Sequence, residues 1–146
     1  MAGISKPVVL ICEKEGAERQ RIYDLIRNDY QVTASSQPGE ALTLIQRGAY
    51  QVLLLAVDEV DYPQDLNSIQ VISIMHKIDP ELQIIIMAAE DQFANNYSLE
   101  AERKIRSQGI FYYMMKPVEE GELRKVLREA IQRSRRVKQH TQEQKP

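Results

Sequence analysis

Tryptophan is absent from this 146-residue chain, phenylalanine occurs twice and cysteine once. A single cysteine excludes an internal disulfide, and a four-cysteine metal site with it. Cys12 closes the apolar run Val8-Val9-Leu10-Ile11-Cys12, the setting of a small buried side chain and not of a reactive thiol. No apolar stretch approaches the roughly 20 residues needed to cross a bilayer. The first residues also lack the basic-then-apolar pattern of a secretory leader, so a cytoplasmic protein without membrane contact is expected. His76 and His140 are the only histidines and have no metal-ligand partner at useful spacing; no metal and no cofactor are expected. Asn96-Tyr97-Ser98 fits the glycosylation pattern, which carries meaning only in a secreted chain.

What remains is the composition of a globular protein, 43% hydrophobic and 27% charged, with length enough for one well-packed domain. The net charge of −2 hides an asymmetry. Residues 1–131 carry 14 basic against 20 acidic side chains, whereas residues 132–146 carry five against one. An acidic body with a basic tail is not the charge pattern of a nucleic-acid-binding core, although the tail alone can meet an anionic partner. We accordingly read 1–131 as the folded domain and 132–146 as a basic polar tail or linker, either a fraying helix end or a connection.

Short apolar runs alternate with helical-period segments five times. After Val8–Cys12, Ala17, Ile22, Leu25 and Ile26 mark the apolar side of a helix ending near Asn28. Tyr30 to Ala34 reads as a strand, Ser36 to Gly39 as a turn, and Glu40 to Arg47 as a helix closed by a C-capping Gly48. Val52 to Val57 is apolar throughout, as a central parallel strand covered on both faces must be. An acidic loop, Asp58 to Pro63, precedes a helix containing Ile69, Ile72 and Met75, which Asp79-Pro80 stops. Leu82 to Ala88 predicts strand four, Ala89 to Tyr97 a loop, and Ser98 to Gln108 a mostly polar helix before Gly109. Phe111 to Met115 predicts strand five, and Leu123, Val126, Leu127, Ala130 and Ile131 form the apolar stripe of a last helix. Five βα units of this size predict an α/β fold: a single flavodoxin-like (βα)5 domain, with a parallel five-stranded sheet of order 2-1-3-4-5 and helices on both faces.

Ligands of open α/β sheets sit at the carboxyl ends of the strands, which directs attention to Glu13-Lys14-Glu15, Ala56-Val57-Asp58, Ala88-Ala89 and Lys116-Pro117. Three segments carry a family resemblance: Val9 to Glu15, Gly48 to Leu55, and Gly109-Ile110-Phe111-Tyr112-Tyr113-Met114-Met115-Lys116-Pro117. By their order and spacing, residues 7–131 resemble the receiver domain of bacterial two-component response regulators, the CheY-like domain. The resemblance implies two acidic residues after strand one and an aspartate ending strand three that hold Mg²⁺. It implies that this aspartate accepts a phosphoryl group, a Thr or Ser after strand four contacts it, and a strand-five lysine pairs with it. Glu13 and Lys116 match that pattern. Lys14 replaces the second acid, Ala56 the nucleophile and Ala88 the Thr/Ser.

Each replacement has a chemical consequence. A methyl group offers no oxygen to phosphorus, and Mg²⁺, which gives up its water reluctantly, requires hard anionic oxygens. A lysine in that shell repels the ion, and Lys14 is expected to take over its neutralising role by pairing with Glu13 or Asp58. The chain thus resembles a degenerate receiver: a phosphorylation-independent protein-interaction module of signal transduction, and not an enzyme. Two other readings stay open, a phosphoacceptor that uses Asp58 and a nucleic-acid-binding regulator that acts through the basic tail. The resemblance further implies an aromatic switch position at Tyr113 and a cis bond before Pro117. Protein partners, or a second copy, are expected on the fourth-helix to fifth-helix face, where Arg103 and Arg106 lie.

Overall fold

The computed structural model describes residues 6–57, 68–88 and 103–143, with the side chains of 68, 69 and 139–143 outside that set. The five strands are β1 (Val8–Cys12), β2 (Gln31–Ser35), β3 (Val52–Val57), β4 (Gln83–Ala88) and β5 (Tyr112–Met115). They form one parallel sheet of order β2-β1-β3-β4-β5, as the alternation of apolar runs and helical segments predicts. The helices are α1 (Gly16–Ile26), α2 (Pro38–Arg47), α3 (Ser68–Ile78), a helical stretch at 103–106 (α4), and α5 (Glu120–Glu143).

Period-two alternation divides β3 between two cores. Val52, Leu54 and Ala56 face a cluster with Ile22, Ile26, Leu123, Leu127 and Ile131 from α1 and α5. Leu53, Leu55 and Val57 face Ala41, Ile45, Ile72, Met75 and Ile105 from α2, α3 and α4. All six residues of β3 and all six of β4 are buried, which is why those segments show no polar alternation. Each helix touches the sheet through residues spaced three or four apart, such as Ile22 and Ile26 on α1, and Ala41 and Ile45 on α2.

Several boundaries differ from the sequence expectation for identifiable reasons. Pro38, read as part of a turn, opens α2, because a first-turn position needs no N–H donor. Gly48 is not a left-handed cap: its backbone is extended at φ −126, and its N–H still donates to the Leu44 carbonyl at 2.9 Å. A side chain there would place its Cβ 3.0 Å from the Tyr50 ring, so close approach and not handedness calls for glycine. Gly109, with φ +82, is the position that does take the left-handed conformation. Helix α5 continues past Ile131 to Glu143. Arg, Gln and Lys sustain a helix after its apolar stripe has faded, and Ser134 within this extension is fully buried. His76, on α3, is half-buried. The loop read at Ala89–Tyr97, the acidic loop after β3 and the start of the polar helix at Ser98 lie outside the described residues.

Candidate functional site

Strand register brings the chemistry-bearing positions to one pole. Cys12 pairs with Leu55, Ala56 with Met87, and Ala88 with both Val57 and Met115. Glu13 therefore emerges one residue beyond β1, level with Ala56, while Lys116 emerges beyond β5, its N–H bonded to the Ala88 carbonyl at 2.7 Å. Strands β3 and β4 lie between β1 and β5, and at their ends stand the methyl groups of Ala56 and Ala88. Across those two strands the Lys116 ammonium reaches the Glu13 carboxylate, Nζ to Oε1 at 2.5 Å; Ala56 belongs to the core on one face of the sheet and Ala88 to the core on the other.

Glu13 is the one buried carboxylate among the described residues. Its second oxygen accepts the Glu15 N–H at 3.3 Å, and the Arg19 guanidinium braces the same turn by donating to the carbonyls of Glu13 (2.8 Å) and Lys14 (3.2 Å). A carboxylate so enclosed needs a cation, because an unpaired buried charge is strongly disfavoured. Lys116 supplies it. Lys14, expected to pair with Glu13 or Asp58, has an exposed side chain. Asp58 lies outside the described residues.

The Mg²⁺ that a receiver fold implies does not fit the described groups. Mg²⁺ wants near-octahedral oxygen coordination; here one carboxylate is already held by an ammonium, and the neighbouring strand end offers a methyl. Among the described residues no three His, Cys, Asp or Glu side chains cluster as a metal site. Cys12, beside this pole, has its thiol pushed up to about 11, chiefly by burial, against a hydrogen bond from Ser35 that lowers it. That thiol is not a nucleophile near neutral pH.

Tyr113 lies inward, in the core beneath α3 and α4 with Ile84, Ile86 and Ile105. The Arg106 guanidinium covers its ring at 4.8 Å, a cation–π contact that the spacing of the two residues in sequence does not reveal. The Lys116–Pro117 peptide bond is cis. Arg103 and Arg106 are both exposed on α4. Close to them in the chain are Tyr112 and Met115, the large apolar side chains that the described residues leave exposed, at 37% and 40%. The Tyr112 hydroxyl donates to Glu122 of α5 at 2.9 Å, which ties β5 to the first turn of that helix. Glu119 caps the same helix by accepting the N–H groups of Gly121 (2.8 Å) and Glu122 (2.7 Å), and those bonds hold its carboxyl below the usual range.

No family model matches the chain, and no curated protein matches it. Solved structures do. A receiver domain protein from Clostridium thermocellum superposes with a TM-score of 0.76 at 22% identity, covering 90% of this chain and 98% of that one. The signal receiver domain of an HD domain-containing protein from Pseudomonas fluorescens Pf-5 gives 0.79 at 20% identity, covering 95% and 97%. A CheY-like receiver domain protein from Methanospirillum hungatei JF-1 gives 0.76 at 19% identity, covering 90% and 98%. Identities this low speak for architecture and not for chemistry. The chain has the CheY-like receiver fold.

Proposed function

We propose that this protein is a phosphorylation-independent receiver-like module, which contributes a binding surface to signal transduction and catalyses no reaction. The observation that carries the reading is the Glu13–Lys116 ion pair at the pole where Ala56 stands level with Glu13. Phosphoryl transfer rests on positioning and electrostatics around a nucleophile. At this pole the Lys116 ammonium is committed to the Glu13 carboxylate, and the Ala56 side chain has no oxygen. A receiver arranged this way is held permanently in one electrostatic state, and its partner is then recognised through shape and surface.

The surface that best suits this role joins α4, β5 and the start of α5. Tyr112 and Met115 supply exposed apolar area and Arg103 and Arg106 supply charge, the mixture of aromatic, methionine and arginine enriched at protein interfaces. Either a protein partner or a second copy of the chain fits it. The decisive experiment is intact-mass measurement after incubation with a small phosphodonor and Mg²⁺. An unchanged mass is expected. A gain of one phosphoryl group that Asp58→Asn abolishes would replace this reading with a phosphoacceptor centred on Asp58.

A further inference from the structure

At the pole opposite the strand ends, a groove of about 490 Å³ opens between the outer face of α5, the end of α1 and the entry to β1. Pro7, Asp29, Tyr30, Arg124, Arg128, Ile131, Gln132 and Arg135 line it. Its volume falls within the ~300–1,000 Å³ typical of small-molecule sites. Three of its eight lining residues are arginines and one is an acid. The acid is already committed: Arg124 donates to Asp29 (2.9 Å), to Glu120 (2.9 Å) and to the Leu25 carbonyl at the end of α1 (2.7 Å).

Arg128 and Arg135 make no ion pair or hydrogen bond among the described residues. Seven residues apart, they stand two turns apart on one side of α5, with ~10 Å of helix rise between them. Both act on the same group. Burial raises the Tyr30 hydroxyl above its ordinary pKa; Arg128, Arg124 and Arg135 oppose that shift and Asp29 adds to it, and all four side chains line the groove beside Tyr30. That phenol has no hydrogen-bond partner of its own among the described residues. Two uncommitted guanidiniums, a phenolic donor and the Gln132 amide thus face one cavity whose remaining wall, Ile131 and Pro7, is apolar.

We propose that this groove binds a small phosphorylated molecule, with its phosphoryl group held between Arg128, Arg135 and the Tyr30 hydroxyl and its organic part against Ile131 and Pro7. Guanidinium forks match the geometry of phosphate oxygens, and the focus on one phenol suits a compact anion better than an extended polymer. The site is separate from the Glu13–Lys116 pole and does not depend on how that pole functions.

The test is calorimetric titration of the full chain at low salt with pyrophosphate, with adenosine monophosphate and with a short DNA duplex. Saturable binding of the two small probes is expected, with dissociation constants of ~0.1–1 mM. Arg128→Gln together with Arg135→Gln should weaken it about tenfold or more, and Tyr30→Phe by a smaller factor. Lys77→Gln, exposed on α3 and outside the groove, should leave it unchanged, and unaltered thermal unfolding should show that the variants are folded. Equal affinity for both probes would assign recognition to the phosphoryl group alone, and tighter binding of the nucleotide would add the apolar wall; either supports the site. Absence of saturable binding, binding indifferent to the double substitution, or binding of the duplex alone would overturn it.

Discussion

Lys116 and Glu13 meet across 103 positions of sequence, and their pairing governs what either can be replaced by. Glu13 is almost wholly buried while Lys116 keeps some contact with water. Lys116→Met should therefore cost about 3 kcal/mol, the low end for breaking a buried pair. Adding Glu13→Gln to the same chain should restore much of that loss, because the orphaned charge is gone; urea denaturation of the two variants and the parent checks both. Equal stability of parent and Lys116→Met would show that the ion pair carries no weight. Cys12 gives a second test. Its native thiol holds its proton to about pH 11, against an ordinary value of 9.0. The unfolded chain thus releases the proton first, so stability is full below pH 9 and falls as pH rises through 11. Two units correspond to about 3 kcal/mol. Cys12→Ala should lose less stability than the parent over that window. Burial of Cys12 was legible in the sequence, from its place in an unbroken apolar run. The partner of Glu13 was not, since chain proximity favours Lys14 and only the topology brings Lys116 across two strand ends.

At the scale of elements, the period of apolar residues identified every described strand and the two helices α1 and α3 closely, because each packs one face and polar residues fill the other. Boundaries were harder wherever two devices share residue types. Pro38 opens a helix as readily as it makes a turn, and Gly48 answers to the Tyr50 ring and not to a left-handed backbone. The end of α5 escaped a reading based on hydrophobicity, because its last turns rest on helix-forming polar residues. The element with most consequence for function is the described end of α4. It anchors itself by Ile105 and offers Arg103 to solvent, while Arg106 lies over Tyr113. Arg103→Glu with Arg106→Glu should weaken self-association or partner capture in sedimentation velocity or pull-down, leaving the fold intact. Arg106→Glu should by itself lower stability by about 0.5–1 kcal/mol through loss of its stacking on Tyr113, a change that Arg103→Glu should not share. If reversal at the exposed Lys14 abolished binding and the α4 pair did not, the interaction surface would belong at the strand-end pole.

At the scale of the whole molecule, the parallel sheet brings its strand ends to one pole and sets the Lys116 ammonium on the Glu13 carboxylate there. Alternating βα units and right-handed connections left few topologies, so the sheet order could be read from sequence, and with it the pole at which Glu13, Ala56, Ala88 and Lys116 gather. The groove at the other pole was not legible, because Pro7, Asp29 and Tyr30, which complete it, lie about a hundred positions from the α5 arginines in sequence. Magnesium response offers a test of the entire arrangement, since a ligand that binds only the native state raises its apparent stability. With Glu13 held by Lys116 and a methyl at position 56, millimolar Mg²⁺ should leave the melting temperature of the parent unchanged. Lys14→Asp combined with Ala56→Asp would return two carboxylates to the ends of neighbouring strands beside Glu13. Mg²⁺ at tenfold its dissociation constant should then add about 1.4 kcal/mol, a rise of several degrees in a domain of this size. Strong stabilisation of the unmodified chain by Mg²⁺ would mean that acidic oxygens from outside the described residues, Asp58 foremost, complete a working ion site, and the non-catalytic reading would fall with it.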